Sequence, residues 1–301
     1  MAPRIAPIDA TLGAVVTDLE LARLDPATWQ TVEAAFHEYA VLVFPGQNLT
    51  EAEQVAFANR FGEIELLAAD PEQKAVPISN QKPDGTIMGP DEHRYKSLRG
   101  NEGWHTDSSY MPLAAKASVL SAQVVPSVAG ETEWADMRAA YEALDEATRR
   151  RIAGLSAHHS LYHSQATIGH VVSPGAGYGF HTKGAPLRPL VKVHPVTGRP
   201  ALFIGRHAHA IPGLDAAESE ALLSHLVAFA CRPPRTYAHS WRPGDVVIWD
   251  NRCVLHRARP YDYREPRIMR HTRVAGDPAT ELASTDRDER AGAYEPSTSN
   301  R

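Results

Sequence analysis

Residues 246–258 read Val-Val-Ile-Trp-Asp-Asn-Arg-Cys-Val-Leu-His-Arg-Ala. The opening run Val246-Val247-Ile248-Trp249 is β-branched and aromatic, and it breaks at Asp250-Asn251, so it predicts a short strand. Similar runs recur along the chain at Val41–Phe44, Val119–Val125, Leu190–Val193, Ala201–Ile204 and Ile268–Val274. They are short and bounded by Pro, Gly or Asn. They do not alternate regularly with single helices, so a doubly wound parallel sheet fits poorly. A mainly β architecture fits better, a jelly roll or cupin-like double-stranded β-helix with helices packed outside.

The helices are marked by their caps. Asp25-Pro26 offers an N-cap and a proline at the first helical position, followed by Trp29, Val32, Phe36 and Tyr39 at helical spacing. Thr50 and Glu53 form a capping box ahead of Val55, Ala58 and Phe61. Asp136 is expected to start one helix carrying Ala140, Leu144 and Ile152, whose solvated end is Arg149-Arg150-Arg151. Asp215 starts another, with Leu222, Leu223 and Leu226 on one face. The expected organisation is a single domain over residues 1–278. Residues 279–301 are polar and lack apolar periodicity, so a disordered tail is expected there.

Composition excludes several classes. With 301 residues the chain can bury a substantial core without staples. A net charge of -5 supplies no basic excess for phosphates, so nucleic acid is not an expected partner. No apolar run approaches the ~20 residues that span a bilayer, so no membrane association is expected. Two cysteines, Cys231 and Cys253, are too few for a disulfide framework or a cysteine-based zinc site. With no secretory pattern at the N-terminus, a cytoplasmic setting is the expectation.

Chemistry concentrates in two segments. In Trp104-His105-Thr106-Asp107, His and Asp two apart project to the same side of an extended backbone. His256 lies far downstream, after the strand Val246–Trp249, where a returning strand of a jelly roll can bring it against the first pair. Two imidazoles and one carboxylate suit non-haem iron(II), because three protein ligands leave positions open for oxygen and a cosubstrate. Zinc takes the same ligands in hydrolases, so the ligands alone leave the reaction open. His207 and His209 form a rival same-face pair without a neighbouring carboxylate. His158, His159 and His163 form a third cluster, read as surface or pocket-lining. Arg267 stands eleven residues after His256, where a guanidinium can grip a carboxylate bidentately. 2-Oxoglutarate would use both features, its keto acid at the metal and its distal carboxylate at the arginine.

Six segments carry a family resemblance: YAVLVFPGQNLT (39–50), FANRFGEIE (57–65), GWHTDSSYMP (103–112), VVPSVAGETEWADMRAAYEAL (124–144), WDNRCVLHRA (249–258) and RIMRHTRVAGDP (267–278). From about Ile5 to Asp277 the chain resembles the taurine dioxygenase and 2,4-dichlorophenoxyacetate dioxygenase family. The segments ISNQKPDGT (78–86), PLRPLVKVHP (186–195) and IGRHAHAIPGL (204–214) are most similar to its (S)-phenoxypropionate, or aryloxyalkanoate, dioxygenases. The resemblance implies a double-stranded β-helix, an iron triad of His105, Asp107 and His256, and a 2-oxoglutarate site made by Thr132 and Arg267. It implies an oxidoreductase that uses iron(II), 2-oxoglutarate and dioxygen to hydroxylate a small anionic substrate. An aryloxyalkanoate herbicide would yield a phenol and a 2-oxo acid, with succinate and carbon dioxide. It also implies a homo-oligomer. The alternatives are an alkylsulfonate or alkyl sulfate dioxygenase and, in other classes, a zinc hydrolase or a non-catalytic binding protein. One departure stands out. Many members place an arginine four residues after the cosubstrate arginine, and here that position is His271. Candidates for the substrate anion are therefore Lys96, Arg206, His271 and Arg273, with Tyr110 as a pocket wall.

Overall fold

The computed structural model describes residues 2–288. Its frame is a seven-stranded sheet in the spatial order Arg4–Pro7, Ala14–Thr17, Val41–Phe44, Val246–Asp250, Ala115–Val124, Ile268–Ala275 and Val76–Ser79. All neighbours are antiparallel except Ala14–Thr17 beside Val41–Phe44. The strand expected at Val246–Trp249 sits at the centre, where Trp249 faces Val41 on one side and Ser118 on the other. A smaller sheet orders Thr236–His239, Thr132–Asp136 and Val254–Ala258. A third carries Ala208–His209, Ser156–His159, Ala185–Pro189 and Thr285–Asp286.

Alternation along the central strands explains their continuous apolar character. Val247 and Trp249 pack with Leu120, Trp134, Leu255 and Met269 in the space between the large and small sheets. Val246, Ile248, Val119 and Val274 point the other way, against Phe36 and Phe57 of helices Pro26–Tyr39 and Glu51–Asn59. Both faces of the sheet are therefore buried, and no polar alternation survives in Val246–Trp249. Each such side chain contributes roughly 1.5–3 kcal/mol of burial. This two-sided packing is the jelly-roll frame expected from the strand runs.

The caps form as read. Asp25 accepts from the Thr28 backbone N–H at 2.8 Å. Thr50 and Glu53 exchange their reciprocal hydrogen bonds.

Two expectations need correction. The single helix expected from Asp136 to Ile152 is two helices, Met137–Glu142 and Glu146–Ile152. Asp145 ends the first stretch and caps the second by accepting from Thr148 N at 2.8 Å, which is competition by a short carboxylate for backbone donors. The disorder expected from residue 279 does not hold for the described residues 279–288. Pro278–Glu281 is a helical turn capped by Asp277, and Thr285–Asp286 pairs with Ala185–Pro186. Glu281 is buried and ion-paired with Lys192. Residues 289–301, the rest of that expectation, lie outside the described residues. Among the described residues no helix is long and apolar enough to cross a membrane.

Candidate metal and cosubstrate site

The site begins with a backbone bridge. His105 N–H donates to the His256 carbonyl at 3.0 Å, and His256 N–H donates back at 2.7 Å. The bridge brings a segment near residue 105 against strand Val254–Ala258 and sets the two imidazole centroids 4.2 Å apart. Thr106 turns away, its hydroxyl donating to the Asn251 carbonyl at 2.7 Å. His105 and Asp107 consequently share one side, as their spacing requires. The candidate ligand atoms of His105, Asp107 and His256 lie within 4.8 Å of one another, and all three residues are buried.

The surroundings set the protonation that a divalent cation needs. His105 Nδ1 lies 2.7 Å from the Gly103 carbonyl. A carbonyl only accepts, so Nδ1 carries the proton and Nε2 keeps its lone pair. Burial pushes His105 down to about 4 and His256 well below the ordinary imidazole value. Burial alone would raise the Asp107 carboxyl, but the Arg273 guanidinium, with His256 and His271, holds it far below the usual carboxylate range. The triad thus presents two neutral imidazoles and one carboxylate. Asp107 is held at both oxygens, Oδ1 by Arg273 Nη2 at 2.7 Å and Oδ2 by the Ser118 hydroxyl at 2.6 Å. Asn251 supports that arrangement, donating to Ser118 Oγ at 3.0 Å and accepting from Asp107 N at 3.3 Å.

A cavity lined by all three of its residues opens over the triad. Arg267 reaches it from the sheet. Its Nε donates to the Gly130 carbonyl at 3.1 Å and its Nη2 lies 3.4 Å from Thr132 Oγ1. Trp241 Nε1 donates to the same hydroxyl at 3.0 Å. Burial pushes the Arg267 guanidinium down from its ordinary value. Among the described residues no carboxylate pairs with Arg267, so an anion in the cavity would complete it.

The substrate candidates divide. Tyr110, Arg206 and His271 line the cavity. His271 stacks on Trp249, with the rings 5° from parallel, and its Nε2 is 3.8 Å from Asp107 Oδ2. Arg273 also lines the cavity but is committed to Asp107, Ser108 and Glu65, so it is not a free cation. Lys96 is not brought to the site. It borders a separate hollow with Tyr95 and Arg99, because its helix His93–Gly100 turns that position away from the triad.

His207 does line the cavity, packed 4.8 Å from Tyr110 and 5.8 Å from His105 between ring centroids. His209 instead stacks on His163, so these two histidines are not a metal pair. His159, read as surface or pocket-lining, is fully buried against Phe203. A second metal-like cluster, His37, His194 and Asp250, is already neutralised by Arg252, whose Nη2 lies 2.6 Å from Asp250. Glu65, Ser118, Asn251, Asn101, Gln165 and Tyr178 escaped the sequence reading. None was singled out by its own local pattern, and they arrive through long-range pairing.

The family model described as "Taurine catabolism dioxygenase TauD, TfdA family" matches residues 4–273. The chain belongs to the TauD/TfdA dioxygenase family. It is 56% identical over 285 residues to the (S)-phenoxypropionate/alpha-ketoglutarate-dioxygenase of Sphingobium herbicidovorans, covering 93% of this chain and 97% of that protein. It is 54% identical over 288 residues to the enzyme of the same name from Delftia acidovorans, covering 93% and 98%. The crystal structure of AAD-2 in complex with Mn(II) and N-oxalylglycine superposes with a TM-score of 0.86 at 37% identity, covering 95% of this chain and all of that one. Members of this TauD/TfdA family have the jelly-roll fold seen here. The sulfonate, sulfate-ester, hydrolase and binding-protein alternatives are not favoured over the aryloxyalkanoate reading by these relatives.

Proposed function

We propose that this chain is an iron(II)- and 2-oxoglutarate-dependent dioxygenase that hydroxylates a small aryloxyalkanoate. One observation carries the reading. Two guanidiniums, Arg267 and Arg206, reach the same cavity as the His105–Asp107–His256 triad, and neither has a carboxylate partner among the described residues. Arg267 is buried and Arg206 is partly buried, and cations withdrawn from water without counter-ions are costly, so this site suits two anions, one at each arginine. A metal, a dicarboxylate cosubstrate and an anionic substrate satisfy that count.

His105, Asp107 and His256 hold the ion, whose donor set of two nitrogens and one oxygen suits iron(II). When bound, iron(II) supplies the redox chemistry that couples reduction of dioxygen and loss of carbon dioxide from 2-oxoglutarate to insertion of one oxygen into a substrate C–H bond. Arg267 and Thr132 grip the distal carboxylate of the cosubstrate. Arg206 takes the substrate carboxylate, while Tyr110, Leu161, His207 and Trp249 form the walls that exclude water from the reacting carbon. Hydroxylation of the carbon bearing the ether oxygen gives a hemiketal. It loses the aryloxy group as a phenol and leaves a 2-oxo acid. The two (S)-phenoxypropionate dioxygenase relatives support the S enantiomer as the preferred hand. The free thiols Cys231 and Cys253 suit a reducing cytoplasmic setting, and the family resemblance favours a homo-oligomer.

The test is succinate release in air from a panel of (S)- and (R)-2-phenoxypropionate, 2,4-dichlorophenoxyacetate, an alkyl sulfate and taurine. Fastest release with an aryloxypropionate, with stoichiometric phenol, is expected. Fastest release with taurine or the alkyl sulfate would overturn the substrate class, and turnover without oxygen would overturn the reaction.

A further inference from the structure

Arg206 sits in a slot with no room for side chains. Its backbone N–H donates to the Trp104 carbonyl at 2.8 Å, one residue before the first candidate ligand. Its Nη2 donates to the Ser164 carbonyl at the inner face of helix Leu161–Ala166. Two glycines lie against the remaining length. A Cβ on Gly103 would stand 2.9 Å from Arg206 Cδ and 3.2 Å from its Nε. A Cβ on Gly100 would stand 2.8 Å from Arg206 Nη1 and 2.7 Å from Gln165 Nε2. Real Cβ contacts essentially never fall below 3.0 Å, so an alanine at either position displaces the guanidinium. At Gly100 the obstructing atoms are the ends of flexible side chains, so the backbone can stay and the arginine must move.

Gln165 closes the slot from the other side. It lines the cavity with Arg206, and it lies between the two ends of helix His93–Gly100. At one end it leaves no space for a Cβ on Gly100. At the other, Gln165 Oε1 lies 3.1 Å from His170 Nδ1, and His170 Nε2 lies 2.9 Å from His93 Nδ1. An amide carbonyl accepts, so His170 donates from Nδ1 and accepts at Nε2 from the His93 ring. This chain fixes the amide against the point where Arg206 passes Gly100.

We propose that Gly100, Gly103 and Gln165 are positioning residues that set the pose of the Arg206 guanidinium and thereby the preference for a carboxylate-bearing substrate. The proposal rests on the reading that Arg206 holds the substrate carboxylate. It separates two things that a change in the pocket normally mixes. Loss of general packing slows every substrate, whereas a displaced guanidinium penalises only the substrate whose charge it meets. A positioning error of about 1 Å costs up to ~100-fold in rate.

The experiment uses the full-length enzyme loaded with iron(II) and 2-oxoglutarate. It compares kcat/KM for (S)-2-phenoxypropionate with that for its uncharged primary amide. Gly100→Ala, Gly103→Ala and Gln165→Leu are each expected to lower the acid-to-amide ratio, by about tenfold for the glycines. Anaerobic 2-oxoglutarate binding should stay within about twofold of wild type, because Arg267 and Thr132 are untouched. Arg206→Gln should collapse the ratio altogether. If Arg206→Gln collapses it while Gly103→Ala and Gln165→Leu leave it unchanged, the positioning proposal is overturned and the anchor stands, even if Gly100→Ala fails to fold. If Arg206→Gln leaves the ratio unchanged, the anchor reading itself fails. A parallel fall for acid and amide in the glycine variants would also overturn the proposal, since it marks a structural effect only.

Discussion

Arg273 Nη2 donates to Asp107 Oδ1 across 2.7 Å, and both side chains are buried. The same guanidinium reaches Ser108 Oγ at 2.9 Å and lies 4.0 Å from Glu65, which accepts from the Tyr178 hydroxyl. One cation therefore serves two carboxyls, the buried Asp107 and the partly buried Glu65. That explains why an arginine that sequence position offers to the substrate is already engaged.

Removing that cation should destabilise the metal-free protein most. Arg273→Met leaves the Asp107 charge buried beside Glu65, a loss of about 3–5 kcal/mol by the usual cost of breaking a buried pair. A divalent ion on Asp107 restores part of the missing positive charge. Calorimetry of wild type and variant, each in chelator and in Mn(II), should show a larger loss of Tm in chelator. Equal losses under both conditions would mean that Arg273 and the ion do not share Asp107.

Ser118 should act on the metal through Asp107. Its hydroxyl is buried and donates to Oδ2 at 2.6 Å, with Asn251 behind it. Ser118→Ala removes that support without adding bulk, and loss of such a partner typically weakens metal affinity ~10–100-fold. A competition titration against a fluorescent chelator reads this. Undiminished affinity would show that Arg273 alone orients the carboxylate.

Arg267 and Thr132 should separate cosubstrate from substrate. Arg267→Leu is expected to raise KM for 2-oxoglutarate at least ~100-fold, the scale of losing a charged partner in a desolvated site. Thr132→Ala should raise it about tenfold, the scale of one hydrogen bond of ~1.4 kcal/mol. Initial rates at saturating aryloxypropionate check both. A rise confined to the substrate KM would place the cosubstrate elsewhere in the cavity.

Acid should weaken the metal-free fold in two windows. Burial pushes His37, His105 and His271 down to about 4 and His159 well below the ordinary value near 6.5. The unfolded chain then binds more protons than the native one between about 6.5 and 4, so stability falls as pH falls through that window. Asp107 is also depressed, here because neighbouring cations favour its charged form, so its effect has the same sign in a lower window. Its contribution is present above the ordinary carboxylate value of 3.8 and is lost only at lower pH. His159 is not among the residues that line the triad's cavity, and neither of its ring nitrogens has a hydrogen-bond partner among the described residues. His159→Phe should therefore flatten part of the slope of Tm between pH 6.5 and 4. A slope unchanged by that substitution would assign the sensitivity to the other histidines.

The features legible in the sequence are those whose cause is local. Alternation placed His105 and Asp107 on one side, and β-branched runs marked the central strand that leads to His256. Short carboxylates and hydroxyls marked the helix starts at Asp25, Thr50 and Asp215. The same Asp-Pro pattern read at Asp25-Pro26 recurs at Asp277-Pro278 and marks the helical turn that interrupts the expected tail. Asp145 was a second cap hidden inside an apparently continuous period. Ser118 and Asn251 had no comparable signal. They meet Asp107 only because strand Ala115–Val124 pairs with Val246–Asp250, and sheet register is decided by tertiary packing. Lys96 was a cation chosen by charge alone, and its helix has little apolar periodicity to orient it.

The central claim is that His105, Asp107 and His256 gather one iron(II) while Arg267 holds 2-oxoglutarate beside it. Anaerobic titration of the metal-free enzyme with iron(II) and 2-oxoglutarate, followed by visible absorption, tests it most directly. The expected result is one iron and one 2-oxoglutarate per chain in wild type, no absorption band in Asp107→Ala, and a band in Arg267→Leu only at far higher 2-oxoglutarate. An unaltered titration by Asp107→Ala would contradict it.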